Sequence, residues 1–410
     1  MSITAKVFSN TFFQVAAKIS SAGATVVISA LITRILGAKT FGDYSIVTAY
    51  VTTFYMLADL GLNPIVVKDF STDKVQAVKR FTSILGLRLI VGLLLTLVAV
   101  VVLDFFPYSQ NIKNAIYISM PLVLFNSITR ATSLIFQAFL KYSKHFIATF
   151  TGSMVGMILV AYFILSGDLT LTQLIALVVI GSAIAPALSV FLVREYISFG
   201  LRWFNKSYWL GVVVRAFPIG AGLALNLLMI QTDRLMLSVL KPSISVGIYS
   251  LAYRIFDLVL VLPTFFMNAM YPVLIKLKSD NPQKYPPAVF KSIGILIASA
   301  VLITIVGLIL SPIVIPLIWG REMVGSISAF NILILGAVFF FATAHLSWVI
   351  VIEGKQRYLP VVYGLGFIFN VVVNAIVIPQ YDYIGAAWAT VITEVLVLVG
   401  LVYLFKFHKD

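Results

Sequence analysis

Ten charged residues lie inside long apolar stretches of the sequence. The basic ones are Lys18, Arg88, Arg130, Arg215, Arg234 and Arg254, and the acidic ones are Asp59, Asp233, Asp257 and Glu394. One charge at the centre of a membrane helix costs roughly 2.5–3.5 kcal/mol on insertion scales. Ten lipid-facing charges would cost on the order of 25–35 kcal/mol. We therefore expect most of them to face one another or a wet cavity.

The basic side chains suit a phosphate-bearing ligand, because the planar guanidinium of Arg donates to phosphate oxygens in pairs. The first half of the chain has three intramembrane cations and one acid, whereas the second half has three of each. We predict a cationic cavity with the candidate ligands Lys18, Arg88, Arg130, Arg234 and Arg254. We expect Arg215, which lies near an inner helix end, to be a snorkelling anchor.

Five titratable residues are candidates for coupling or gating: Asp59, Asp233, Asp257, Glu394 and His345. Each also has a structural interpretation. Asp59 could neutralise Lys18. Arg254 and Asp257 are three residues apart and could face each other on one side of a helix. A lone His in an apolar stretch is more often a hydrogen-bonded core residue than a functional one.

Uncharged polar residues and two prolines complete the candidate site. Sugar partners could be Asn226, Gln231, Tyr253 and Asn268. Pro218 and Pro263 fall inside apolar stretches, and Pro kinks a helix by removing a backbone hydrogen bond, so both are predicted hinges. The chain has no Gly-rich phosphate loop, no Cys and three scattered His. We therefore predict no enzyme, no metal site and no cofactor.

Twelve apolar stretches must position these residues. Of the 410 residues, 61% are hydrophobic and 11% charged, whereas a soluble protein carries about 25% charged residues. A membrane helix needs about 20 apolar residues. Such stretches occur at approximately 11–34, 42–63, 82–103, 114–139, 146–165, 171–193, 209–240, 246–271, 292–318, 325–352, 358–378 and 384–405. The sequence thus predicts an all-α integral membrane protein with twelve transmembrane helices.

The net charge of +14 follows a topology pattern. With the N-terminus inside, 18 of the 29 Lys and Arg residues fall in inner segments, 5 in outer segments and 6 within helices. This bias orients membrane proteins, so it predicts two cytoplasmic termini and argues against a nucleic-acid partner. The first residues lack the apolar core and cleavage site of a secretory signal, which fits a retained cytoplasmic terminus.

The two halves share a short pattern. The segment TRILGAKTFGDYS (33–45) aligns with DRLMLSVLKPSISVGIYS (233–250), with Arg34 opposite Arg234 and, after a five-residue insertion, GDYS opposite GIYS. Six helices per half predict parallel repeats, here 1–200 and 201–410, the general plan of an alternating-access transporter. The outer segments are short, which disfavours a membrane polymerase or ligase.

The segment GKQRYLPVVYGLGFIFNVVVNAIVIPQYDYIGAAWATVITEVL (354–396) resembles a signature of the polysaccharide-transporter branch of the multidrug/oligosaccharidyl-lipid/polysaccharide exporter superfamily. The features that carry the resemblance are Gly354-Lys355, Asn370, Asn374, Ile378-Pro379, Gly385-Ala386-Ala387, Ala389-Thr390 and Glu394. The elements DRLML (233–237), VGIYS (246–250) and IFQAFLKYSK (135–144) are also similar to that branch.

This resemblance, to Wzx-type O-antigen flippases, implies a MATE-like fold with two six-helix lobes around a central cavity. It implies movement of an undecaprenyl-diphosphate-linked oligosaccharide between the leaflets of a bacterial plasma membrane. Membrane lipid and other polysaccharide-assembly membrane proteins are its implied partners. A cation-coupled multidrug exporter of the same fold is the alternative. Flippases for the peptidoglycan precursor typically have two further helices.

Overall fold

A computed structural model describes residues 3–59, 61–167, 169–196 and 204–407, with the side chains of 3–11, 64, 218, 219 and 407 outside that description. The described residues contain helices and no strand. The helices are α1 (Ile3–Leu31), a π-helix (Ile32–Leu36), α2 (Gly37–Leu57), α3 (Leu62–Thr72), α4 (Lys74–Leu103), α5 (Gln110–Ser119), α6 (Pro121–Ala138), α7 (Tyr142–Ser166), α8 (Leu171–Ser182), α9 (Ile184–Val193), α10 (Lys206–Leu240), α11 (Ser243–Val259), α12 (Val261–Asp280), α13 (Tyr285–Trp319), α14 (Gly325–Leu335), α15 (Ala337–Ile352) and α16 (Leu359–Phe407).

The predicted all-α membrane fold is confirmed. Within the described ranges, nine helical segments are long and apolar enough to cross a membrane, and α14 with α15, bent by 45°, makes a tenth. The segment Gln356–Lys406 has 51 residues, about 77 Å at 1.5 Å per residue, whereas the hydrocarbon core is about 30 Å thick. This segment is therefore too long for a single membrane crossing.

Backbone breaks divide the two longest segments. Asp382 (φ 54°, ψ −140°) interrupts α16. Gly37 (φ 85°, ψ 164°) separates the π-helix from α2 inside the segment Phe12–Leu57, in a backbone region that only Gly adopts readily. Dividing the nine segments at these two breaks makes eleven, and the bent pair makes twelve. This count is consistent with the prediction.

The chain forms two compact units, Met1–Ala224 and Leu225–Asp410. They divide within α10, and the predicted lobe boundary at residue 200 falls outside the described residues. In the first unit, α4 has a lipid-facing row that includes Leu93, Leu97 and Val101, each at least half exposed. Its opposite face buries Arg88 and Gly92, as expected for a helix between lipid and protein.

Each unit has its own aromatic and aliphatic core. In the first, Phe70 of α3, Phe81 of α4 and Phe136 of α6 are fully buried together. In the second, Met267 of α12 and Phe341 of α15 pack in one such cluster. The packing of these cores determines which face of each helix, with its charged side chains, lies inside the unit.

Candidate functional site

Asp233 is fully enclosed in the second unit, with none of its surface exposed. Four neutral donors reach its carboxylate. The Nδ2 atoms of Asn370 and Asn374 lie 3.0 and 2.6 Å from Oδ1, and the Tyr249 hydroxyl lies 2.8 Å from Oδ2. The Thr390 hydroxyl also donates to Oδ2. Asp233 is therefore the centre of a polar cluster, and we call these five residues the Asp233 cluster.

Three helices build the Asp233 cluster. Asp233 lies on α10 and Tyr249 on α11. Asn370 and Asn374 are four residues apart, so they share one face of α16, and Thr390 comes from the same helix after the break at Asp382. Because of this break, the segments of α16 before and after Asp382 both place polar side chains against the Asp233 carboxylate.

The protons of the Asp233 cluster can be arranged in more than one way. The Thr390 hydroxyl lies within hydrogen-bond distance of Asp233, of the Tyr249 hydroxyl at 2.8 Å and of the Ala386 carbonyl at 2.9 Å. A hydroxyl has one proton and can accept others. Thr390 can donate to an ionised Asp233, or accept from a protonated one while donating to Ala386. The carboxyl group can thus change charge with little movement of its neighbours.

The amide oxygens of the cluster leave room for a cation. The Oδ1 atoms of Asn370 and Asn374 are buried without a hydrogen-bond partner. Which end of an Asn amide is oxygen is assigned from its surroundings, so either amide could turn its oxygen towards a bound cation. Asp233, Asn370, Asn374 and Thr390 would then supply the oxygen ligands that hard cations prefer. Among the described residues, no group of three or more His, Cys, Asp or Glu side chains could hold a metal ion.

Two cavities meet beside this cluster. The smaller, the Asp233 cavity, has a volume of 10 Å³ and is lined by Asp233, Tyr253, Asn370, Thr390, Thr393 and Glu394 among others. The larger, the Glu394 cavity, has a volume of 180 Å³, and its polar lining consists of Asn226, Thr264, Thr343, Tyr363 and Glu394. Glu394, only 4% exposed, lines both.

Arg234 does not pair with its neighbour Asp233. Its guanidinium lies 3.6 Å from Asp257 Oδ2, donates to Gln231 Oε1 at 2.9 Å, and stacks over the Tyr253 ring at 4.6 Å. Adjacent residues on a helix point in different directions, which separates the two charges. Asp257 therefore has Arg234 as an ion-pair partner, and the pairing of Asp257 with Arg254 stays a prediction.

In the first unit, one acid is shared by two arginines. Arg88 Nη1 lies 2.9 Å and Arg130 Nη1 3.7 Å from the two oxygens of Asp59. Arg88 also donates to Asn63 at 2.7 Å, and Arg130 to Asn126 at 2.9 Å. We call these five residues the Asp59 cluster. The sequence suggested Lys18 as the partner of Asp59, and the structure places Arg88 and Arg130 there.

The members of the Asp59 cluster differ in exposure. The side chain of Arg88 is 1% exposed and that of Asp59 17%, whereas that of Arg130 is 39% exposed. Arg88 is held in the interior by two partners, so its charge is committed to Asp59 and Asn63. Arg130 is the member that a second anion can reach. Two Arg against one Asp leave one positive charge.

A third cavity of 410 Å³ lies within the first unit. Its lining includes nine Ser and Thr residues, with Tyr44, Tyr55 and Asn126, and no charged residue among those described. Several hydroxyls donate to their own helix backbone, as Thr25 does to Ser21 and Thr149 to His145, both at 2.9 Å. Their oxygens remain as acceptors. We call it the hydroxyl cavity.

The structure also locates the remaining candidates. Lys18 is exposed on α1, and Arg254 is half-buried on α11. His345 is buried on α15 with Nε2 2.7 Å from the Ser292 hydroxyl, so it is a hydrogen-bonded core residue. Pro263 lies in the first turn of α12 beside the break at Leu260. Pro218 lies inside the continuous α10, and its side chain is outside the described part.

Several members of these clusters were not among the predicted site residues. They are Asn63, Asn126, Tyr249, Asn370, Asn374 and Thr390. The last four belong to segments that resemble the transporter branch, so the pattern marked them without revealing that they face Asp233. Asn63 and Asn126 carry no comparable signal. Arg215 is half exposed and pairs with Asp69 at 2.7 Å, which is compatible with an anchor.

Comparisons with known proteins place the chain in a structural class. Residues 7–278, more than half of the chain, match a family described as "Polysaccharide biosynthesis protein". No curated protein matches the chain in sequence. A structure described as an inward-facing multidrug resistance MATE family transporter of the MOP superfamily is 13% identical, with a TM-score of 0.77, over 95% of this chain and 96% of that one.

Two further structures share the fold. The lipid II flippase MurJ, in an inward closed conformation, is 16% identical with a TM-score of 0.73, over 96% of this chain and 87% of its own. The MATE multidrug transporter DinF-BH is 17% identical with a TM-score of 0.72, over 99% of this chain and 96% of its own. At these identities the likeness establishes the fold, which is the predicted MATE-like one.

Proposed function

We propose that this chain, which belongs to the polysaccharide biosynthesis protein family, is a flippase for a lipid-linked oligosaccharide. The substrate would be an undecaprenyl-diphosphate-linked repeat unit of O-antigen type, moved from the inner to the outer leaflet of a bacterial plasma membrane by alternating access. The family description and the fold that the chain shares with a lipid II flippase support this proposal. The Lys and Arg bias supports cytoplasmic termini.

The single observation that carries the proposal is the surplus positive charge of the Asp59 cluster. Arg130 is 39% exposed and lies 3.7 Å from an Asp that Arg88 already holds at 2.9 Å. A diphosphate could accept hydrogen bonds from the exposed N–H groups of Arg130 while Asp59 neutralises Arg88. Arg binds phosphate through two parallel hydrogen bonds, so Arg130 is the residue we assign to the diphosphate.

The test replaces Arg130 with Gln and with Lys in the full chain. Complementation of a flippase-deficient strain is scored as surface polysaccharide, with membrane abundance of each variant measured beside it. We expect Arg130→Gln to lose most of the polysaccharide, since the charge is gone, and Arg130→Lys to retain part of it, since only paired donation is lost. Arg215→Gln, at an exposed ion pair, is the matched control and should behave like the parent. Full activity of Arg130→Gln at normal abundance would contradict the assignment.

The Asp233 cluster is the proposed coupling site. No nucleotide-binding motif occurs in the sequence, so an ion gradient would drive transport. A buried carboxylate surrounded by neutral groups can bind and release a proton or a small cation as the unit changes conformation. Pairing with an Arg would hold the charge fixed, and among the described ion pairs none includes Asp233.

A second candidate function is cation-coupled export of a small drug. The hydroxyl cavity favours it, because an uncharged 410 Å³ space with Tyr44, Tyr55 and Phe125 in its wall suits a compact aromatic molecule. Two of the structures that share the fold are multidrug transporters. Deletion would then lower drug resistance and leave surface polysaccharide unchanged, whereas the flippase proposal expects the reverse.

A further inference from the structure

Glu394 is a second buried carboxylate of the membrane interior, one turn from the Asp233 cluster. It follows Thr390 by four residues on α16, so both side chains lie on the same face of that helix. The side chain is 4% exposed. Among the ion pairs of the described residues, none includes Glu394 or Asp233. A buried charge without a compensating one is strongly unfavourable, so this region favours a bound proton or cation.

The two cavities of the second unit share one wall, formed by Met229, Ile230, Phe340 and Glu394. Three of these side chains are apolar, and Glu394 alone carries a charge. A cation that moves from the larger cavity to Asp233 must therefore pass the Glu394 carboxylate. The Asp233 cavity, at 10 Å³, is about the smallest space that holds one water molecule.

The Glu394 cavity is suited to water. Its 180 Å³ is well above the roughly 10–15 Å³ that one water molecule needs, so it has room for several. It lies where α11 ends and α12 begins, and Pro263 is part of its wall. Because Pro has no amide proton, the carbonyl of Val259 loses its usual helical donor. Irregular backbone at membrane depth is tolerated where it lines a wet cavity.

An unpartnered polar atom points to a ligand between the two carboxylates. The hydroxyl of Tyr253 is buried without a hydrogen-bond partner, and Tyr253 lines the Asp233 cavity. The unpartnered Oδ1 of Asn370 belongs to the same wall. No basic side chain lines either cavity among the described residues, and Arg234 is directed to Asp257. The titratable groups that line the cavities with Glu394 are Asp233, Tyr253 and Tyr363.

We propose that Glu394 is the first docking point of a monovalent cation, Na⁺ or a proton, which reaches Asp233 through the Glu394 cavity. This inference rests on the proposed coupling role of Asp233. Glu394 draws the cation into this cavity by its negative charge. The cation then passes from the Glu394 carboxylate, which lines both cavities, to the oxygens of the Asp233 cluster.

The chain has no Cys, so a single introduced thiol reports on this cavity in the full-length protein. Thr264→Cys places the thiol in the wall of the Glu394 cavity, and Ser153→Cys places it in the uncharged hydroxyl cavity as the matched control. The probes are two methanethiosulfonates of similar size, the ethylammonium and the ethylsulfonate. Each rate is divided by the rate of the same reagent with free cysteine.

We expect the cationic reagent to label Thr264→Cys about tenfold faster than the anionic one, since a charged cleft raises the on-rate of the opposite charge by at least that factor. Ser153→Cys should show no preference for the cationic reagent, because Asn126, the hydrogen-bond partner of the cationic Arg130, lines its cavity. Adding Glu394→Gln to Thr264→Cys should remove the preference, and Glu394→Asp should retain it. Size-exclusion profiles identify any variant that does not fold. If Glu394→Gln does not fold, Glu394→Asp supplies the comparison.

Two further measurements distinguish Na⁺ from the proton, and the role of Glu394 from the coupling role of Asp233. At fixed pH and ionic strength, a cationic preference that Na⁺ lowers and choline does not identifies Na⁺. If Na⁺ has no effect and the ratio of the cationic to the anionic labelling rate falls on acidification, the cation is the proton, since that ratio does not depend on the thiolate fraction. Asp233→Asn should leave the labelling preference intact while abolishing coupled transport. Equal labelling by both reagents, no labelling of Thr264→Cys by either, or a preference that survives Glu394→Gln would overturn the inference. The labelling readouts do not need the oligosaccharide, so they stand or fall separately from flippase activity.

Discussion

Two aspartates, Asp59 and Asp233, have opposite surroundings, and from this contrast we propose different roles for them. Asp59 lies between Arg88 and Arg130, so its negative charge is fixed by two cations. Asp233 receives only neutral donors from Tyr249, Asn370, Asn374 and Thr390. A fixed charge organises a binding site, whereas a charge without a cationic partner can be neutralised by a bound cation or a proton.

The interior position of Arg88 predicts a large loss of stability when its charge is removed. Arg88→Met would leave Asp59 with only the more exposed Arg130, and breaking a buried pair costs about 3–5 kcal/mol. We expect a clear drop in the thermal unfolding midpoint of the protein in detergent. Arg215→Met, at an exposed pair with Asp69, is the matched control, with an expected effect of at most about 1 kcal/mol. Equal midpoints for both variants would show that Arg88 is not committed to Asp59.

The neutral surroundings of Asp233 predict a loss of transport without a loss of folding. Asp233→Asn keeps the size and polarity of the side chain and removes its ability to carry a negative charge. We expect membrane abundance close to that of the parent and at least about a tenfold fall in surface polysaccharide, equivalent to about 1.4 kcal/mol. Asp257→Asn, at a half-exposed carboxylate, is the control and should retain transport. Parental transport by Asp233→Asn would remove Asp233 from the coupling step.

At the scale of the elements, backbone breaks lie next to the polar clusters. Asp59 follows the end of α2 and precedes the start of α3. Leu260 separates α11 from α12 beside the Glu394 cavity, and Asp382 separates the two legs of α16 that reach Asp233. Because a broken membrane helix needs polar or wet surroundings, the breaks and the charged side chains occur together.

Gly61 makes the break beside Asp59 possible. Adding one methyl group at this position is therefore predicted to destabilise the protein. Its φ is 62°, and a Cβ at this position would lie 2.2 Å from the Cα of Gly220. Gly61→Ala should therefore destabilise the first unit by at least about 2 kcal/mol, from left-handed backbone strain and overpacking. Gly23→Ala is the control, because a Cβ there meets nothing within 4 Å. Equal unfolding midpoints for the two variants would contradict the close approach.

Much of the element level could be predicted from the sequence. Apolar stretches of about 20 residues identified the membrane helices, because burial in lipid requires them. The partners of the charges could not be predicted in the same way. Asp59 and Arg88 are 29 residues apart, and Asp233 and Thr390 are 157 apart. Which helix faces meet depends on packing, so the ion pair between Arg234 of α10 and Asp257 of α11 was not expected from the sequence.

At the scale of the whole molecule, the two units carry complementary chemistry. The first has the Asp59 cluster, with its surplus cation, and the uncharged hydroxyl cavity. The second has two buried carboxylates, Asp233 and Glu394, beside adjoining cavities. A lipid-linked diphosphate and a coupling cation have opposite charges, so we propose that the substrate headgroup binds in the first unit and the coupling ion in the second.

The central claim is that the chain moves a lipid-linked oligosaccharide between leaflets. The most direct measurement reconstitutes the purified full chain in liposomes that carry an undecaprenyl-diphosphate-linked oligosaccharide, and follows the fraction of sugar accessible to a membrane-impermeant modifying enzyme. With an ion gradient imposed, we predict that this fraction rises with time in liposomes with the parent protein. It should stay near the protein-free level with Arg130→Gln. A parent protein that leaves the accessible fraction at the protein-free level would contradict the claim.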